Sequence, residues 1–92
     1  MTATMEIIVE HEVGLHARPA ALFVKEATEF SSEISVENLT SKSEPVNAKS
    51  ILGILAAGVQ KDHQIRIVAE GEDEEQAVAA LHGLIETNFG ED

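Results

Sequence analysis

The chain contains no cysteine among its 92 residues, which excludes a disulfide framework and a thiolate metal site and leaves no positive sign of an oxidising compartment. It is also poor in positive charge: six lysines and arginines stand against 17 aspartates and glutamates, a formal charge of -11 at pH 7. Such a surface repels phosphate backbones and anionic headgroups, so neither nucleic acid nor a membrane surface is expected as a partner. No apolar run approaches the roughly 18 residues of a membrane span, and Met1-Thr2-Ala3-Thr4 lacks the basic segment that opens a signal peptide. A cytoplasmic monomer is the expectation. The acidity has two readings: a solvated surface that aids solubility, and adaptation to a salty cytoplasm whose ions screen self-repulsion.

With 43% hydrophobic residues, the sequence has material for one modest core, and residues 1–92 read as a single domain. Met5, Ile7 and Val9 alternate with Glu6 and Glu10, the pattern of a half-buried strand. After turn-prone residues 11–14, Ala20, Phe23, Ala27 and Phe30 form a helical stripe between Ala17 and Phe30. Ile34, Val36 and Asn38 alternate in a second strand, Thr40 to Ser43 reads as a turn, and Glu44 to Val46 predicts a short third strand, with Pro45 confining it to an edge.

Asn47 is a good N-cap for a short helix running to Ala57, with Gly58 to end it. Ile51, Leu52, Ile54 and Leu55 surround most of this helix, so it is either deeply buried or carries an exposed apolar patch. Ile65, Ile67 and Ala69 form a fourth strand. Asp73 with Gln76 resembles a capping box before a last helix with Ala77, Ala80, Leu81, Leu84 and Ile85 facing the core. The order β-α-β-β-α-β-α predicts an α+β fold, a two-layer open-faced β-sandwich in which three helices cover one face of a four-stranded antiparallel sheet.

His16 opens the first predicted helix. A histidine is in part neutral and nucleophilic near neutral pH, and its ring nitrogen can accept phosphorus. First-turn amides and the positive end of the helix dipole favour an anionic phosphoryl group there. Arg18, two residues on, offers a fork of donors to phosphate oxygens. Pro19 is tolerated in a first helical turn, and Gly14 can take a positive φ that brings the loop close to a phosphate.

The heptapeptide Gly14-Leu15-His16-Ala17-Arg18-Pro19-Ala20 closely resembles the active-site segment of HPr, the histidine-containing phosphocarrier family of the phosphoenolpyruvate-dependent sugar phosphotransferase system. A second block, Asn47-Ala48-Lys49-Ser50-Ile51-Leu52-Gly53, resembles that family's regulatory serine segment, and Glu70 to Glu75 its acidic turn before the last helix. The resemblance runs in order over roughly residues 5–88. It implies that His16 receives phosphate through Nδ1 from phosphorylated enzyme I and passes it to an enzyme IIA, with Arg18 supporting the phosphohistidine. It further implies an obligatory carrier rather than an enzyme, without cofactor or metal.

By the same resemblance, Ser50 is the residue on which an HPr kinase/phosphorylase would act. The sequence reading puts its hydroxyl near the third position of the second helix, where it also satisfies free amides. Ile51, Leu52 and Leu55, extended by Ala17, Ala21, Lys25 and Lys49, form the expected docking surface, with core packing as the alternative role for the apolar ones. His11, His63 and His82 have no metal-site spacing and read as surface or loop residues, His11 with a further role in orienting the active-site turn. A rival reading is a regulatory binding protein, or a nitrogen-type paralogue, that uses phosphorylation as a signal.

Overall fold

The computed structural model describes residues 2–90. Met1, part of the segment read for a leader, and Glu91 and Asp92, included in the single-domain span, lie outside the described residues. Period-2 segments form strands β1 (Ala3–Ile8), β2 (Glu33–Asn38) and β4 (Gln64–Glu70), with a two-residue β3 (Val46–Asn47). Three helices, α1 (Ala17–Thr28), α2 (Ile51–Ala56) and α3 (Glu74–Glu86), complete the expected order, and a 3₁₀ turn at Asn88–Gly90 follows them outside it.

The sheet order is β1-β4-β2-β3, and every pairing is antiparallel. β4 is central: Ile67 lies opposite Met5 on one side and Val36 on the other. Ile34, Val36, Ile65, Ile67 and Ala69 are buried against Ala20, Phe23 and Ala27 of α1 and Ala77, Leu81 and Ile85 of α3, in a cluster that also holds Ile54 of α2. Each large side chain buried there contributes about 1.5–3 kcal/mol of transfer free energy. On the opposite face Arg66 bridges its two cross-strand neighbours, Glu6 at 2.8 Å and Glu37 at 3.5 Å. The hydrogen bond to Glu6 and then its charge push the Arg66 pKa above its ordinary value. The open face of the sheet thus carries this charged triad beside the exposed Ile8.

Local boundaries differ from the sequence reading where long-range bonds compete with local pattern. β1 starts at Ala3, which pairs with Ala69, and stops at Ile8. Val9 is buried past its end, donating to the His63 carbonyl at 2.9 Å and accepting from the Asp62 amide at 2.6 Å. α1 ends at Thr28, short of Phe30. The third strand is Val46–Asn47, after Pro45 rather than through it, as a residue without an amide donor requires.

Asn47 is not the N-cap of α2. It belongs to β3, and its Oδ1 accepts the Lys49 amide at 2.9 Å. Ser50 is the cap, accepting the Gly53 amide on Oγ at 3.0 Å, so it precedes the helix instead of lying at its third position. Asp73 precedes α3 without a side-chain capping bond. The Asp73–Gln76 box does not form, because both carboxylate oxygens accept hydrogen bonds from Ser31 and Ser32. Among the described residues no helix is long and apolar enough to cross a membrane.

Candidate functional site

The turn before α1 is held from beneath. Leu15 is fully buried and its amide donates to the Val59 carbonyl at 3.0 Å, while the Gly14 amide donates to the His11 carbonyl at 2.9 Å. Gly14 has φ +64°, and a Cβ built there would fall on the Val59 carbonyl oxygen and 2.7 Å from Gln60 Cα. Only glycine fits both the backbone conformation and the close approach. With Leu15 anchored and Pro19 and Ala20 buried, the residues between them, His16, Ala17 and Arg18, are exposed.

His16 is the N-cap residue of α1, extended at φ -130° and ψ 164°, and its ring makes no capping bond. Its carbonyl begins the helix by accepting the Ala20 amide at 3.4 Å. An unobstructed imidazole at the positive end of a helix dipole can take up phosphorus and face the resulting dianion toward first-turn amides. Ala17, the next residue, has φ 51°, an unfavourable region for a side chain bearing a Cβ. The backbone just after His16 is therefore strained. Arg18 follows in the first helical turn and is exposed.

The other expected site residues fall on α1 and α2, which pack against each other. Ala21 and Lys25 are exposed on α1. Of the apolar residues of α2 only Ile54 is buried; Leu52 is 76% exposed, Ile51 43% and Leu55 37%. The exposed-patch alternative is therefore the observed one, and core packing is not the role of these three. Lys49 Nζ donates to the Phe30 carbonyl at 2.6 Å, tying the segment before α2 to the loop after α1. Ser50 is half-buried as the N-cap of α2.

Two histidines outside the motif contact its support. His11 accepts the Val13 amide on Nδ1 at 3.2 Å and meets the Phe89 ring edge-on at 5.8 Å. His63, read from sequence as a surface or loop residue, is half-buried and accepts the Gln60 amide on Nδ1 at 3.2 Å. Val59 and Gln60 carry no local signal of this role, since the residues they meet, Leu15 and Gly14, lie far earlier in the sequence. Among the described residues no group of three or more histidine, aspartate and glutamate side chains is arranged to hold a metal ion.

A family model described as PTS HPr component phosphorylation site matches residues 3–87. The multiphosphoryl transfer protein of Haemophilus influenzae is 48% identical over 83 residues, covering 90% of this chain and 17% of that protein. The HPr-like protein Crh of Halalkalibacterium halodurans is 44% identical over 81 residues, 88% of this chain and 93% of that protein. Among solved structures, HPr-C-His from Thermoanaerobacter tengcongensis matches with a TM-score of 0.92 at 49% identity, covering 98% of both chains. The chain spans only 17% of the Haemophilus multiphosphoryl transfer protein and 23% of that from Salmonella typhimurium.

Proposed function

The chain belongs to the HPr family, the histidine phosphocarriers of the phosphoenolpyruvate-dependent sugar phosphotransferase system, and on that premise we propose that residues 1–92 act as one phosphocarrier domain. His16 accepts a phosphoryl group from phosphorylated enzyme I and passes it to an enzyme IIA. The observation that carries this reading is the exposed His16 ring at the start of α1, unused as a cap, inside a turn anchored by Leu15 and Gly14. The bond from phosphorus to enzyme I breaks as the bond to the His16 ring nitrogen forms, and the second transfer repeats this in reverse sense. Arg18 supplies charge-assisted hydrogen bonds to the phosphoryl oxygens. The partners bring the remainder of each active site.

Incubation with phosphoenolpyruvate and an active enzyme I should label the protein with an acid-labile, base-stable phosphate that an enzyme IIA then removes. His16→Ala should abolish labelling; labelling that persists in this variant rejects the assignment. Arg18→Ala should slow transfer while leaving the circular dichroism spectrum unchanged.

For docking, the reading takes Ile51, Leu52 and Leu55 of α2 with Ala17, Ala21 and Lys25 of α1, because exposed apolar side chains on a helix packed against the one that carries His16 favour protein contact. Ser50 is the regulatory position in this reading. A phosphate on its hydroxyl would add a dianion at the start of α2, next to the docking residues. An HPr kinase/phosphorylase should label the wild type with ATP and fail on Ser50→Ala.

A further inference from the structure

Asn38 is a fully buried polar side chain at the end of β2 with all of its hydrogen-bonding capacity used. Its Oδ1 accepts the amides of Thr40 at 3.1 Å and Ser41 at 3.2 Å. Because those two partners are backbone donors, the orientation of the amide group is fixed, and its nitrogen must donate in the other direction. One Nδ2 hydrogen goes to the Ala57 carbonyl at 3.1 Å, at the C-terminal end of α2; the other meets Nδ1 of His63 at 3.1 Å. The same Nδ1 accepts the Gln60 amide at 3.2 Å. With two donors aimed at it, Nδ1 carries no proton, and the ring hydrogen sits on Nε2.

This single ring nitrogen closes the turn 60–63, in which the His63 amide donates to the Gln60 carbonyl at 3.0 Å and Asp62 takes φ 70°. A positive φ at the third residue of a turn favours glycine, so the aspartate version has less intrinsic stability and leans on its side-chain braces. The turn and the residue just before it grip both ends of the segment that presents His16. Asp62 and His63 bond Val9 on its N-terminal side, while Val59 accepts the Leu15 amide and the Val59–Gln60 backbone packs against Gly14. A continuous set of named contacts thus runs from buried Asn38 through His63 and Gln60 to the adjoining Val59, and from its carbonyl to Leu15, the residue before His16.

We propose that His63, through Nδ1 as a double acceptor, is a positioning residue for phosphoryl transfer at His16. The functional half of this inference rests on the carrier reading above; the structural half does not. An oxygen on Cγ of asparagine stands as far from Cβ as Nδ1 does in histidine, so His63→Asn can restore the acceptor, whereas His63→Leu retains apolar volume without one.

The test combines the full-length protein with phosphoenolpyruvate, enzyme I and amide hydrogen exchange. His63→Leu should slow His16 labelling roughly tenfold, as misplacement of a reacting group does, and speed exchange of the Leu15 amide by a similar factor; His63→Asn should recover most of both. Wild-type rates in His63→Leu, or an asparagine variant no better than the leucine one, overturn the proposal. Nitrogen-15 shifts of the wild-type ring give a check that needs no variant: the neutral ring should be the Nε2–H tautomer, and a neutral ring with its proton on Nδ1 overturns the proposal. A wild type that takes no phosphate from active enzyme I overturns the carrier reading and the positioning role of His63 together, whereas labelled wild type with an unaffected His63→Leu defeats this inference alone.

Discussion

Ala17, the first residue of α1, directly follows the proposed nucleophile and has φ 51°. For a residue with a Cβ the left-handed region costs roughly 1–2 kcal/mol, a strain that the neighbouring anchors Leu15 and Pro19, both buried, hold in place. Glycine would escape this penalty while losing about 0.5–1 kcal/mol through its greater freedom in the unfolded chain. Ala17→Gly is therefore expected to be at least as stable as wild type in urea denaturation, with a gain of up to about 1.5 kcal/mol. Lower stability in that variant would show that the left-handed backbone is not the one populated in solution.

At the scale of elements, the Asp73 carboxylate joins the start of α3 to the loop between α1 and β2. It accepts the Ser31 amide at 2.9 Å and the Ser32 amide at 3.0 Å, together with both serine hydroxyls. The Ser32 hydroxyl first, and then the Ser31 amide, hold its pKa below the ordinary carboxylate value. A carboxyl with a lowered folded-state pKa stabilises the fold fully above its unfolded pKa, and the contribution disappears as pH falls through the folded one. Asp73→Asn should melt below wild type at pH 7, with the difference shrinking progressively under about pH 4. A difference that stays constant down to pH 2 would remove Asp73 from the acid response.

The same element explains what could be read in advance. Period-2 and 3.6-residue patterns reveal β1, β2, β4, α1 and α3 because each buries one face, and the His16 turn is recognisable from its heptapeptide. Caps are less legible. Asn47 and Ser50 are both good N-cap types three residues apart, and only the pairing of Val46 and Asn47 with β2 assigns the cap to Ser50. Asp73 likewise has a plausible local partner in Gln76 but bonds residues more than 40 positions earlier. His63 shows the limit most clearly, since its partner Asn38 is 25 residues away and nothing beside it announces the contact.

Over the whole molecule, a charge of -11 is spread on a chain with only six basic side chains, and the fold brings some acids close together. In the register of β2 with β4, Glu33 lies directly opposite Glu70, and like charges at such a cross-strand pair are destabilising by about 0.2–1 kcal/mol. Glu70 also borders a surface depression lined by Glu72, Glu74 and Glu75. Potassium chloride shortens the screening length from about 10 Å at 0.1 M to about 3 Å at 1 M, so it relieves repulsion of this kind. The melting temperature should rise from low salt to molar KCl. General salting-out could raise it too, and the comparison with Glu70→Gln separates the two causes. If charge repulsion is responsible, Glu70→Gln is the more stable protein at low salt by about 0.2–1 kcal/mol, and its advantage vanishes at 1 M KCl. An advantage that is independent of salt would assign the gain to local packing at the end of β4, and a wild type equally stable at both salt concentrations would leave its acidity with no role in adaptation to a salty cytoplasm.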